Sequence, residues 1–466
     1  MRAWSLKSFR EIDAFRTISY VIITALLGGC LALSGCDIDT LVSKDGPKNK
    51  KAGVIERKGD STGESAASPG AITVIDVNGD EHETEVSVIE AGENEDNSST
   101  SLPERSLAQV AQNISMSDDE NFAYSELSES GKTCYAEIYS ILTDMLEKVE
   151  LSSRDTDEID QAFRAVMVDH PEIFYVKGYS IGKYMNGKML KKIVFSGTYT
   201  MDKTVVENKQ SEVEAYVDDV VSGCPKGAGD YDKIKYVYDY LIRHNEYVPD
   251  SENNQNILSV VENGKTVCQG YTKAMQLILG RMGIFCTLVN GTACGANGVP
   301  DSAQLANAKD AEWGGHVWNI VKCNGLYYNI DVTWGDAVIT LMKDDGTLSQ
   351  NVDVNYEFFL VDDATLDETH APEPVVQMPY CNSMEDNYYR HEGLYFTDIN
   401  SDQFYRAFES ALSSGQTVMY LKASSDDVYR KIKDHLFVEE NIFKYIGRTN
   451  VRYVEFADRD MIMISL

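Results

Sequence analysis

The chain has 466 residues, with 42 Lys and Arg against 74 Asp and Glu and a formal net charge of -32. That length holds two or three ordinary domains, each able to bury a core of its own. The charge repels DNA, RNA and anionic lipid headgroups over most of the surface, which excludes nucleic acid as a partner.

Arg2, Lys7, Arg10 and Arg16 precede the uncharged run "TISYVIITALLGGCLALSGC", which ends in Leu33-Ser34-Gly35-Cys36. Basic, then apolar, then small residues is the order of a secretory leader. The last box is similar to bacterial lipoprotein signals, which implies a signal over residues 1–36, cleavage before Cys36 and a lipid on that cysteine; Leu27-Gly28-Gly29-Cys30 fits less well. The same run is about long enough to cross a bilayer, so a single N-terminal transmembrane anchor is the alternative. Either reading puts the remaining chain at the extracellular face of a bacterial membrane.

Residues 37–115 are rich in Gly, Ser, Asp, Glu and Lys and read as a disordered acidic tether. About 70 flexible residues reach roughly 50 Å. Within them "AITVIDVNGDEHETEVSVIE" can pair as a hairpin about Asn78-Gly79. An N-terminal α+β domain is expected over residues 116–225. It has helical patterns around Cys134 to Val149 and Asp157 to Val168, a strand from "HPEIFYV", a hairpin about Asn186-Gly187 and a long polar helix from Asp202 to Ser222.

A central domain follows over residues 226–340. Tyr231, Ile234, Tyr238, Leu241 and Ile242 share one face of its first helix. In "NGKTVCQGYTKA" the Gly-Lys-Thr could end a phosphate-binding loop, but that loop needs a glycine where this chain has Ser259. The stretch reads instead as a helix start, with Thr266 as cap, Gly283 as end and Cys268 in the first turn. Unpaired N–H groups and the helix dipole there favour a thiolate; a buried structural thiol fits the residue equally well when it is taken alone. Beyond the leader the cysteines are Cys134, Cys224, Cys268, Cys286, Cys294, Cys323 and Cys381, an odd number without CxxC or zinc-ligand spacing. No metal site, no cofactor and no disulfide scaffold is expected from them.

In "GGHVWNIVKCNGLYYNIDVTW" the Asn324-Gly325 pair predicts a two-residue hairpin in which His316 faces Thr333 and Trp318 faces Asp331. His316 and Asp331 are then diagonal neighbours, roughly 7–8 Å apart at Cα, which an imidazole and a carboxylate can bridge. Val317, Val321, Cys323, Leu326, Tyr328, Ile330 and Val332 form a core-facing set, leaving the polar residues on the other face.

These two stretches, "GKTVCQGYTKAMQLILGRMGI" and "GGHVWNIVKCNGLYYNIDVTWGD", together resemble the transglutaminase-like superfamily over roughly residues 230–336. The resemblance implies an α+β fold: a papain-like domain with a catalytic cysteine at a helix N-terminus packed on an antiparallel sheet, flanked by smaller α+β or α/β domains. It implies Cys268 as nucleophile, His316 as acid and base and Asp331 as the group that orients the imidazole, working through an acyl-enzyme on peptide or protein amides. An amine acceptor would make the protein an acyltransferase, and water a hydrolase akin to cysteine proteases. Protein or peptide, cell-wall peptide included, is the implied partner. Animal transglutaminases complete the oxyanion hole with an upstream tryptophan, yet here none lies between Trp4 and Trp313. The Cys268 N–H supplies one donor, with Tyr247 or Gln255 as candidates for the other. Trp313, Trp318 and Trp334 are candidates to line a substrate groove or, equally, to pack. The rival to an enzyme is a catalytically silent module of the same fold that binds protein or cell-wall peptide.

Residues 341–400 read as a connector and 401–466 as a C-terminal α/β unit. Asp398, Asn400, Asp402 and Glu409 match calcium-loop positions, but the required glycine is missing and the stretch reads better as a helix capped by Ser401 or Asp402.

Overall fold

The computed structural model describes residues 9–13, 72–76, 81–84, 121–186, 189–294, 313–342 and 348–466. The expected leader and tether lie almost wholly outside these residues. Ser128 opens the helix Glu129–Asp144 by accepting the Gly131 N–H at 3.0 Å, and Asp155 opens Thr156–Asp169 in the same way. An oxygen at this position gives the first turn an acceptor it otherwise lacks. Phe163 of the second helix meets Tyr179 and Phe195 of the antiparallel strands Val176–Asn186 and Met189–Tyr199, and all three rings are fully buried. The long helix Lys203–Gly223 buries only Val206, Val213, Val217 and Val220. Each of those valines contributes about 1.5 kcal/mol or more, so a single stripe of side chains docks an otherwise polar helix.

The helix Asp230–His244 buries Tyr231, Ile234, Val237, Tyr238, Leu241 and Ile242. The helix Cys268–Arg281 buries Tyr271, Ala274, Met275, Ile278 and Leu279 and packs on the strands Cys286–Cys294 and Trp313–Cys323. Its cap is Val267, which makes no side-chain cap bond. Thr266, expected there, joins its hydroxyl to that of Ser259 at 2.7 Å. Gly270 lets this contact exist, because a Cβ on it would overlap the Thr266 hydroxyl.

Four antiparallel strands form the central sheet in the order Leu326–Ile330, Trp313–Cys323, Cys286–Cys294 and His370–Pro372. The Asn324-Gly325 turn places both residues at positive φ, 50° and 88°, as a two-residue hairpin of this hand requires. Its register is the expected one from Cys323↔Leu326 to Asn319↔Ile330 and stops there. The pairs Trp318 with Asp331 and His316 with Thr333 do not form, because Asp331 leaves the ladder to cap a short helix, Val332–Gly335.

Both faces of the sheet are buried. Val317, Val321 and Cys323 face the main core, while Trp318 and Ile320 join a second core with Phe285, Val289, Trp334, Phe358 and Cys381. The polar residues His316, Asn329 and Asp331 share the second face as expected, but the segment after residue 354 buries it. At the C-terminus the strands 9–13, 450–456, 461–465, 418–423 and 395–396 form a second sheet in that order. Asn400 caps the helix Ser401–Ser413, in place of the expected Ser401 or Asp402. An Arg459–Glu357 ion pair ties this unit to the segment after the central sheet.

The architecture is α+β with a curled antiparallel sheet. The expected papain-like site centred on a cysteine does not form on it: the side chains that converge at the sheet are two histidines and an aspartate.

Candidate functional site

Three polypeptide segments converge on one carboxylate. His316 sits in the outer half of the strand Trp313–Cys323, and Asp331 at the point where the chain leaves the sheet. His370 comes from a short strand that pairs with Cys286–Cys294 on its far side, His370 facing Ala293. His316 Nε2 lies 2.7 Å and His370 Nε2 3.2 Å from the same oxygen, Oδ2 of Asp331. The other oxygen, Oδ1, accepts the Trp334 N–H at 3.0 Å. Behind the site the Tyr238 hydroxyl lies 3.2 Å from the Asp331 carbonyl and 2.7 Å from that of Asn355. A side chain on Gly335 would strike that tyrosine.

The cluster is dry. The side chains of Asp331 and His370 are 0% exposed and that of His316 5%. The His370 ring lies 4.4 Å from Trp334, 5.1 Å from Trp318 and 5.4 Å from Phe358, centroid to centroid. Burial would raise the Asp331 pKa, but the charges and hydrogen bonds of His316 and then His370 overcome it and hold the carboxyl well below the usual carboxylate range. Burial would lower both imidazoles. His316 is nevertheless raised to about 10 by Asp331, with a smaller contribution from a hydrogen bond to Cys268. His370 stays below its ordinary value, burial outweighing the same carboxylate. One negative charge cannot hold two protonated rings equally, and the ring at 2.7 Å receives most of its field.

This arrangement overturns the thiol-enzyme expectation. Among the described residues the one group of three such side chains with converging donor atoms is His316, Asp331 and His370, all within 4.8 Å of one another, and no cysteine belongs to it. In the expected relay the carboxylate serves one imidazole and the imidazole serves Cys268. Here the carboxylate is divided between two rings, and Cys268, half-buried at its helix start, lies outside the cluster. The assignments as cysteine acyltransferase, hydrolase or cysteine protease-like enzyme are withdrawn with that mechanism, and with them the papain-like description of the site.

The other expected residues are scattered. Trp318 is 1% and Trp334 2% exposed, so they pack around the histidines and line no open groove. The indole N–H of Trp318 donates to Asn329 Oδ1 at 3.2 Å. Trp313, 42% exposed, stands at the outer end of its strand. The Gln255 carbonyl accepts from Lys273 Nζ at 3.1 Å. Tyr247 pairs with Thr266 and donates its backbone N–H to Asp336. Cys36 and Cys30 lie outside the described residues, and no described helix is long and apolar enough to cross a membrane, so the expected anchors gain no support from the structure. Sequence reasoning missed His370. It lies 39 residues beyond Asp331 in the expected connector, in no motif, and only the sheet brings it home.

A model of the transglutaminase-like superfamily matches residues 214–332, less than half of the chain. No curated protein matches. Among solved structures, one described as a TGase is 18% identical, covering 33% of this chain and 44% of its own, with a TM-score of 0.19. A proposed protease from Parabacteroides distasonis is 8% identical, covering 39% and 41%, with a TM-score of 0.20. A proposed cysteine protease from Cytophaga hutchinsonii is 10% identical, covering 44% and 78%, with a TM-score of 0.21. The chain thus spans less than half the length of the first two, and overlays at these TM-scores carry no argument about activity. The similarity to the transglutaminase-like superfamily is thus confined to residues 214–332.

Proposed function

We propose that the protein is a catalytically silent transglutaminase-like module that binds an extended segment of a protein or peptide, cell-wall peptide included, beside Cys268, His316 and Asp331. The observation that carries this reading is Gly315. Cys323, Val321 and Asn319 turn their backbone groups to the strand Leu326–Ile330, and alternation turns those of Gly315 to the same side. The ladder ends at Asn319, and among the described residues no strand continues it there. Gly315 is exposed, and no described residue lies within 4 Å of where its Cβ, which points out of the sheet, would be. A strand edge on which no described strand pairs suits strand addition, where main-chain hydrogen bonds give affinity and side-chain pockets give specificity. A lipid on Cys36, holding the module outside a bacterial membrane, belongs to the same proposal and rests on the leader-like N-terminus alone.

The test is binding of fluorescent extended peptides and of cell-wall stem peptides to the unmodified chain and to Gly315→Val, whose side chain enters the free space without touching the histidines. Affinity should fall roughly 10-fold or more, the scale of a steric conflict between the added side chain and a strand laid alongside. Equal affinity in the variant, or no binding by the unmodified chain, overturns the strand-addition reading. Ammonia release or amine incorporation that disappears in Cys268→Ser would show that the module is not catalytically silent.

A further inference from the structure

We propose that His316, Asp331 and His370 form a binding site for one divalent transition-metal ion of zinc-like character. Three donor atoms of mixed type, the two Nε2 atoms and Oδ2, converge from three separate segments. Two imidazole nitrogens and one carboxylate oxygen suit zinc and its first-row neighbours, whereas magnesium and calcium select oxygen donors. The site has the outer bonds that such ligands need. His370 Nδ1 meets the Thr369 hydroxyl at 2.8 Å, and Asp331 Oδ1 is held by the Trp334 N–H at 3.0 Å. Partners of this kind fix ring orientation and tautomer. Trp318, Trp334 and Phe358 supply a hydrophobic wall on the His370 side of the cluster.

Two of the three donor separations are close to what an ion requires, and the third, between the two Nε2 atoms, is within 4.8 Å. Ligands about 2.0–2.2 Å from a tetrahedral centre stand roughly 3.4 Å from one another. The His370 to Asp331 separation of 3.2 Å already fits, and the His316 to Asp331 separation of 2.7 Å must open by a fraction of an ångström. On coordination both Nε2 atoms present lone pairs and each ring carries its hydrogen on Nδ1, which for His370 points to the Thr369 hydroxyl. Three protein ligands leave the fourth position of a tetrahedral ion for water or a bound group. The inference shares its residues with the peptide-binding reading but not the strand edge at Gly315, so the two fail separately.

The full chain, equilibrated with zinc and then with cobalt(II) and freed of excess ion, is analysed for metal content and for cobalt d–d absorption. About one ion per chain is expected, with the intense visible bands of low-coordinate cobalt. His370→Gln and His316→Gln should each weaken zinc binding roughly 100-fold or more, beyond the effect of losing an outer-shell partner, with circular dichroism unchanged. The unmodified chain is also followed by 15N imidazole shifts, a readout that survives if a variant fails to fold; both rings should move on adding zinc. A metal content far below one per chain overturns the proposal, as does full binding in both variants or two unmoved imidazoles. Peptide binding by a chain that takes up no metal leaves the proposed function standing and the metal site refuted.

Discussion

Two buried aspartates, Asp331 and Asp169, occupy similar depths and respond in opposite ways. Asp331 lies within hydrogen-bonding reach of two imidazoles, and its pKa falls below the carboxylate range. Asp169 is adjacent in sequence to His170, but that ring turns to Glu172, with Nδ1 at 2.7 Å from its carboxylate. Asp169 instead accepts from the Ala123 and Tyr124 N–H groups, both at 2.9 Å, and from the Tyr135 hydroxyl at 3.0 Å. Burial then prevails over His170 and these donors, raising its pKa to about 6. Neutral donors satisfy a carboxylate's hydrogen bonds without supplying the opposite charge that would keep it ionised in a dry place. Proximity in sequence decides nothing here; the direction of the rings does.

The contrast can be broken most forcefully at Asp331. Asp331→Ala strips the carboxylate from two buried imidazoles and removes the cap of Val332–Gly335, and should cost about 3–5 kcal/mol in urea unfolding. A loss under about 1 kcal/mol would mean that the pair contributes no more than a surface ion pair.

Lys273 extends the comparison to a buried charge without an opposite partner. It is 8% exposed, its amine has the Gln255 carbonyl as acceptor, and burial lowers its pKa to about 8. The unfolded chain binds this proton more tightly than the folded one, so stability rises with pH between the folded value and the ordinary 10.5. Lys273→Met should therefore stabilise the protein by about 2–3 kcal/mol near pH 7, with a smaller gain near pH 10. Destabilisation at pH 7 would show that the bond to Gln255 outweighs desolvation.

The smallest effect belongs to Asp169. Its folded pKa is raised above the ordinary 3.8, so the stability it adds is fully present below that value and is lost as pH rises through about 6. Between about pH 8 and pH 5 the unmodified chain should gain about 1–1.5 kcal/mol relative to Asp169→Asn. Parallel pH profiles for the two proteins would place its carboxyl back among ordinary exposed ones.

Local chemistry made much of the central unit legible in the sequence. Asn324-Gly325 allows essentially one kind of turn, and the alternation around it carried the register correctly to Ile330. Tyr231, Ile234, Tyr238, Leu241 and Ile242 recur at helical spacing, and all are buried as expected. Where side chains compete for one backbone group the reading failed: Thr266 turned to Ser259 rather than to its helix, and Asp331 left the ladder to cap the next turn. Where the answer depended on a distant segment it could not be read at all. His370 and the second core over Trp318 arise from residues beyond 354, and no local periodicity reports what will cover a sheet.

That covering has a kinetic consequence along the strand Trp313–Cys323. Its inner half, Trp318 to Cys323, lies between two cores, whereas Trp313 and Gly315 are exposed. Amide hydrogens of the inner half should exchange with solvent only through global unfolding, and the Gly315 amide through small local openings. One strand then spans the slowest and the fastest exchange in the central sheet, with His316 at the boundary.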